Sequence, residues 1–253
     1  MLRPRVIPAL LLSNEGLTKT FQFKKRKYIG DPVNAIRIFN EKAVDELLVI
    51  DIEASRNNKE PNYKLIENFA SECFMPLTYG GGINSLLQAE RIFSLGVEKI
   101  CIQSAALYNP RFVTELSKRF GTQSISVSLD VKKNWWGKYK LRVASSAKTL
   151  KTPLNEQLKR VAQAGAGEII LTSVDNDGIG EGTDHDLIRK VQPSTKIPLV
   201  IGGGIGSEKE ITKIFKTHQS LSGISIGWSF HNDHLNIDKV HKAIKETKCE
   251  TRL

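Results

Sequence analysis

Two glycine runs and a scatter of acids at the ends of apolar runs are the residues able to do chemistry in this sequence. Tyr79-Gly80-Gly81-Gly82-Ile83 closes a short apolar stretch and opens a helical pattern. Ile201-Gly202-Gly203-Gly204-Ile205 repeats it, Gly204 falling 122 residues after Gly82. Glycines at such a turn let the backbone come close to a ligand and leave amide N–H groups at a helix N-terminus, which suits a phosphate. Asp51 and Asp130 each end an apolar run, Gln103-Ser104 and Ser173 end two others, and Asp175 and Asp177 follow Ser173 closely. A carboxylate at a strand's C-terminal end can act as general acid or base once its pKa is tuned. The plainer alternative, an aspartate satisfied by loop amides, suits Asp175 better.

These residues need a scaffold that brings strand ends together. Apolar or β-branched runs fall near 5–11, 46–51, 75–79, 98–103, 124–130, 168–173, 197–201 and 222–226. Helical patterns fall near 31–43, 62–72, 85–95, 108–119, 154–165, 184–191, 207–216 and 236–246. Strand and helix alternating eight times predict a closed parallel barrel, the α/β class in its (β/α)8 TIM barrel form. The halves superpose: Glu46-Leu-Leu-Val-Ile faces Glu168-Ile-Ile-Leu-Thr at the offset of the glycine turns, so two half-barrel repeats are expected. No linker rich in Pro, Gly or Ser interrupts the chain, and residues 1–253 read as one barrel domain. By that symmetry Asp130 should have a partner ending the first strand, where Leu11 stands.

Two connections are long. Residues 13–30 follow the first strand and carry Lys19, Lys24, Lys25, Arg26 and Lys27, and residues 131–150 follow the fifth, with Asn134-Trp135-Trp136-Gly137 set to turn a small hairpin. Both leave C-terminal strand ends, where barrel enzymes place their chemistry. A mobile lid and a plain basic loop are the two readings.

Composition narrows the partners. Apolar residues at 40% and charged residues at 25% are ordinary for a globular core. Three cysteines, Cys73, Cys101 and Cys249, lack metal-ligand spacing, and the expectation is a reducing cytoplasm with no metal or cofactor. Val6 to Leu12 imitates a signal segment but reads better as a first strand, and no stretch is long enough to cross a membrane. The net charge of +10 fits anionic small molecules or a solvated basic surface. Nucleic acid is disfavoured, because the basic residues are spread out without interleaved aromatics.

Taken together, Gly30-Asp31-Pro32-Val33, Asp45-Glu46-Leu47, Tyr79-Gly80-Gly81-Gly82-Ile83, Gly121-Thr122-Gln123 and Gly165-Ala166-Gly167-Glu168-Ile169-Ile170-Leu171-Thr172-Ser173 give the chain a family likeness. Over nearly its whole length it resembles the cyclase subunit of imidazole glycerol phosphate synthase, a (β/α)8 barrel of histidine biosynthesis. The resemblance implies phosphate sites at Gly81 and Gly82 with Ser104, and at Gly203 and Gly204 with Gly227 and Trp228, Gly178 joining the phosphate-binding set. It implies Asp130 as a catalytic aspartate, Lys19, Asp51 and Asp177 as loop or substrate positions, and a glutaminase docked as heterodimer partner on the N-terminal face. Ammonia would enter there through a ring matched by Arg5, Glu46, Lys99 and Glu168. Three departures stand out: the second catalytic aspartate is Leu11, the family's Asp-Gly-Thr reads Asp177-Gly178-Ile179, and the fifth loop reads Thr149-Leu150-Lys151-Thr152. A leucine exchanges no proton. The chain therefore also resembles divergent relatives found beside sugar amidotransferases of surface-polysaccharide pathways, which implies a phosphorylated or nucleotide-sugar acceptor. A cyclase with a substitute acid and a non-enzymatic scaffold that activates a glutaminase are the alternatives.

Overall fold

The structure, a computed structural model, describes residues 4–42, 44–231 and 235–247. Eight parallel strands close on one another: β1 (Arg5–Ser13), β4 (Leu47–Asp51), β5 (Leu77–Gly80), β6 (Lys99–Ile102), β7 (Ile125–Lys133), β9 (Glu168–Ser173), β10 (Leu199–Gly202) and β11 (Gly223–Ile226). Each pairs with its neighbour in that order, and β11 returns to β1 with Arg5 opposite Gly223, which completes the barrel. Closure leaves no barrel strand with an unpaired edge. The (β/α)8 architecture expected from the alternation is present.

Helices fill the return connections: α1 (Pro32–Asn40), α2 (Tyr63–Glu72), α3 (Leu86–Ser94), the short α4 (Ser104–Tyr108), α5 (Pro110–Phe120), α6 (Leu154–Gln163), α7 (His185–Val191), α8 (Glu208–Thr217) and α9 (Ile237–Lys245). Their starts are set by side chains that accept from orphan backbone amides. Asp31 caps α1 through Asn34 N at 2.8 Å, and Asn236 caps α9 through Lys239 N at 2.9 Å. Apolar residues three and four apart face the sheet, as Ile36 and Phe39 do in α1 and Ile211, Ile214 and Phe215 in α8. One large apolar core lies between helices and strands. A smaller one, with Ile7, Leu48, Cys101, Ile170 and Val200, fills the inside of the barrel.

The half-barrel repeat is visible in the strands. Leu77–Gly80 and Leu199–Gly202 keep the offset of 122 residues to the residue, and β1 and β7, nine residues each, open the two halves. Both long strands run on into antiparallel hairpins. The connection expected as a lid or loose basic loop is instead β2 (Gly16–Phe21) paired with β3 (Lys25–Gly30), stacked on the end of β1 through Leu11 opposite Thr18. The pairing is irregular between Leu17 and Thr18, which lets both turn inward with Thr20, while Lys25, Arg26 and Lys27 on the outer strand stay exposed. The second hairpin joins β7 to β8 (Tyr139–Arg142), and Trp135 and Trp136 stand exposed at its turn. No helix among the described residues is long and apolar enough to cross a membrane. Cys73 and Cys101 are free thiols; Cys249 lies outside the described residues.

Candidate functional site

Period-two alternation assigns the interior of the barrel. On β1 the inward residues are Arg5, Ile7, Ala9 and Leu11; on β7 they are Ser126, Ser128 and Asp130. Arg5, Glu46, Lys99 and Glu168 each stand two residues before a member of the interior apolar cluster, respectively Ile7, Leu48, Cys101 and Ile170. The barrel is thus plugged at its N-terminal end by charges, filled next by an apolar layer, and open at its C-terminal mouth.

The four charges converge as the resemblance implied. Glu46 receives Arg5 at 2.5 Å and Lys99 at 2.7 Å, and its other oxygen accepts from the Thr78 hydroxyl at 2.6 Å. Glu168 pairs with Arg5 and accepts from Ser126 at 3.1 Å, with Lys99 at 4.0 Å. Burial works to raise the Glu46 carboxyl, yet Lys99 and Arg5 with the bonds from Lys99 and Thr78 prevail and hold it below its ordinary value. Two cations and two anions satisfy one another, and removing one would leave a buried charge uncompensated, at a cost of about 3–5 kcal/mol.

At the other end one cavity collects the residues to which the resemblance assigned catalysis, phosphate or substrate: Asp130, Gly81, Gly82, Ser104, Gly178, Gly203, Gly204, Gly227, Trp228, Lys19, Asp51 and Asp177 all line it, whereas Ser173 and Asp175 do not. Its floor is the apolar layer, with Leu48, Cys101 and Ile170. Leu11 lines the same cavity as Asp130.

Asp130 is buried at 7% exposure, and burial pushes its carboxyl up to about 6, against the Ser128 hydroxyl at 3.2 Å and the nearby Arg142. Gln103 donates to its other oxygen at 2.7 Å. Asp177 hangs from the loop after β9 and accepts from Thr20 of the first hairpin at 3.3 Å. Burial lifts it to about 7, the Thr20 bond opposing and the charge of Asp130 adding to the rise. Two carboxyls titrating near neutrality in one cavity can donate and accept protons. The other acids are structural: Asp51 accepts from the amides of Glu53 and Ala54 at 2.9 and 3.0 Å, and Asp175 from the amide of Lys133 at 2.7 Å, as expected for the latter. Among the described residues no three His, Cys, Asp or Glu side chains are grouped to hold a metal.

The glycine turns carry a second constraint besides ligand approach. A Cβ on Gly82 would meet Lys59 O at 2.8 Å, and one on Gly204 would meet Gly182 O at 2.1 Å, both at positive φ. Neighbouring loops press against these turns, so glycine is required by the protein's own packing. The first turn is also partly self-satisfied: Gly82 N donates to Ser55 Oγ at 3.1 Å, and Ser104 Oγ accepts from Ser145 N at 3.1 Å.

Sequence reading did not find Arg56 and Arg142, which line the mouth beside this first turn. Arg142 is the last residue of β8 and Arg56 sits in the loop after β4. Nothing in their spacing links them; their joint place at the mouth depends on the second hairpin folding back along β7. His231, which also lines the cavity, is depressed by burial despite a hydrogen bond with the Ala9 backbone.

Comparison with known proteins agrees with this architecture. The family model described as "Histidine biosynthesis protein" matches residues 5–236. The chain is 45% identical over 236 residues to the "Putative imidazole glycerol phosphate synthase subunit hisF2" of Pseudomonas aeruginosa, covering 92% of this chain and 94% of that one. It is 48% identical over 231 residues to the corresponding subunit hisF3 of Vibrio vulnificus, with 91% and 88% covered. Against the "Imidazole glycerol phosphate synthase subunit HisF" of Natranaerobius thermophilus identity is 34% over 253 residues, the whole of both chains. The chain belongs to the histidine biosynthesis protein family, among the homologues of the imidazole glycerol phosphate synthase subunit HisF.

Proposed function

We propose that this barrel receives ammonia from a glutaminase bound at its N-terminal face and passes it up the barrel to a phosphorylated acceptor at the mouth. The single observation that carries the reading is the layered interior: a closed ring of Arg5, Glu46, Lys99 and Glu168, then an apolar floor, then the polar cavity. Ammonia crosses an apolar layer as the neutral molecule, and the ring must open a gap for it, by a swing of Lys99 or Arg5. Lys99 is the more exposed of the two side chains, so a partner on that face would reach it first.

The acceptor in this proposal is a nucleotide sugar of surface-polysaccharide biosynthesis, amidated alone or with a sugar amidotransferase as third protein, in the cytoplasm. Leu11 supports it, since ring closure on the histidine-pathway ribonucleotide would draw on two carboxylates facing each other across the cavity. One observation favours a second reading, a working histidine-pathway cyclase. Asp177 lies in the cavity with its carboxyl raised and could replace the acid missing at Leu11.

Turnover of the histidine-pathway ribonucleotide with ammonium salts and no glutaminase separates the two. The nucleotide-sugar reading expects a rate roughly 10²–10⁴ below that of a two-aspartate cyclase, the usual contribution of one acid–base group. Turnover at the rate of such a cyclase would establish the second reading instead.

A further inference from the structure

The mouth of the cavity holds two arginines, Arg56 and Arg142, that make no ion pair within 4 Å among the described residues, although Asp130 lies within electrostatic reach of Arg142. Arg142 is buried, at 9% exposure, and its guanidinium lies over the Phe23 ring at 5.3 Å on the wall of the cavity. It donates to no acceptor and pairs with no carboxylate among the described residues; only its backbone carbonyl is engaged, by Gln103 Nε2 at 3.1 Å. Arg56 reaches the same wall, where its Nε donates to Ala144 O at 3.2 Å, two residues beyond Arg142. It too lacks a carboxylate partner among the described residues. Arg26, the third arginine of the mouth, differs, because Glu53 already neutralises it.

The Arg142 guanidinium nitrogens open into the cavity rather than lying sealed in the core, so they are free to meet a ligand, and two like charges close together repel. Burial lowers the Arg142 pKa, Asp130 opposes this, and Arg56 adds to the lowering, which places the two cations within electrostatic reach of each other. An arrangement of this kind is stable when an anion sits between the forks. The neighbouring groups that would otherwise hold one are in part engaged: Gly82 N is bonded to Ser55, and the Ser104 hydroxyl to Ser145 N and to Gln103 Oε1.

We propose that Arg56 and Arg142 form an oxyanion clamp at the cavity mouth that binds a phosphoryl group of the ligand, with side-chain forks taking over from the backbone amides of the first glycine turn. Charge count selects the phosphoryl group over a carboxylate. Two guanidinium groups carry two positive charges, and a phosphoryl group at neutral pH carries one and a half to two negative ones. Planar forks also bind phosphate oxygens bidentately, which a lysine does not. The clamp deepens the proposed function by naming what grips the acceptor, but its test involves neither ammonia nor a glutaminase.

Inorganic phosphate is titrated calorimetrically into the isolated chain, its R56Q, R142Q and R142K variants, with thermal unfolding to verify that each is folded. The expected result is two phosphates bound per chain, the second at the Gly203–Gly204 turn, and one binding step weakened roughly ten- to hundredfold in R56Q and in R142Q, as for lost hydrogen bonds to a charged group. R142K should recover little, because the fork is gone. R56Q alters a half-buried loop residue and so stays informative if R142Q unfolds. No phosphate bound by the wild type, or both steps unchanged in R56Q, overturns the clamp. Acetate at matched ionic strength competing as well as sulfate would also overturn it, in favour of a carboxylate site. The ammonia route survives such a failure, since it is read by a different assay; the phosphorylated acceptor survives if the wild type binds phosphate and R56Q leaves that binding unchanged, and fails with the clamp only if the wild type binds none.

Discussion

Asp177 carries a carboxyl raised mainly by burial, with the charge of Asp130 adding to the rise. Its carboxyl and that of Asp130 are both lifted, to about 7 and about 6, chiefly because the closed cavity disfavours charge. A carboxyl whose pKa is higher folded than unfolded binds protons more tightly in the native state. Its contribution to stability is therefore present at acid pH and is lost as pH rises from the unfolded value near 4 through the folded value. Asp177→Asn removes one such group, so the variant should gain on the wild type steadily between pH 5 and pH 8, as measured by urea unfolding at each pH. The histidines His185, His218 and His231, depressed chiefly by burial, contribute with the opposite sign. They are common to both proteins, so the difference between the two isolates the carboxyl. An unchanged difference across the window would show that Asp177 is ionised at ordinary pH in the native state.

At the scale of elements, the glycine turns serve packing as well as approach. Gly204→Val places a β-branched side chain at φ +87° against Gly182 O. The left-handed backbone costs about 1–2 kcal/mol and the overpacking about 1–3 kcal/mol, so a loss of roughly 2–5 kcal/mol is expected by chemical unfolding. Gly137, at φ +70° with open space where a Cβ would go, isolates the backbone effect; Gly137→Ala should cost only about 1–2 kcal/mol. Equal losses would mean that the neighbouring loops yield around Gly204. The strands, helices and glycine turns were legible in sequence because their signals are local: period two, period 3.6, and an apolar run stopped by glycine. The second hairpin was legible for the same reason, from Asn134 to Gly137. The first was not, because Ser13 to Gly30 has no turn signature of the common two-residue kind, and basic residues dominate its alternation. Arg56 and Arg142 were out of reach for a different cause. Their encounter is a tertiary event between two loops, and neither stands at a strand end where barrel chemistry is sought.

For the whole molecule, the barrel has a charged, closed end and an open, polar one, to which the proposed function assigns opposite tasks. Symmetry of the halves places Glu46 and Glu168 in register at the closed end, and at the open end Leu11 and Asp130 line the same cavity. The ring of charges at the bottom beside Leu11 at the top is the pattern that the proposed function expects, with ammonia supplied from below to a changed acceptor. The most direct measurement compares glutamine-dependent with ammonium-dependent product formation by the complex with its glutaminase, wild type against Lys99→Ala. Because Lys99 holds Glu46 at 2.7 Å and closes one side of the ring, its loss should alter the yield of product per glutamine hydrolysed, by severalfold, while ammonium-dependent turnover at the distant mouth stays near the wild-type rate. A folded Lys99→Ala complex with both activities unchanged would reduce the ring to a stabilising cluster, and the ammonia route through this barrel would be refuted.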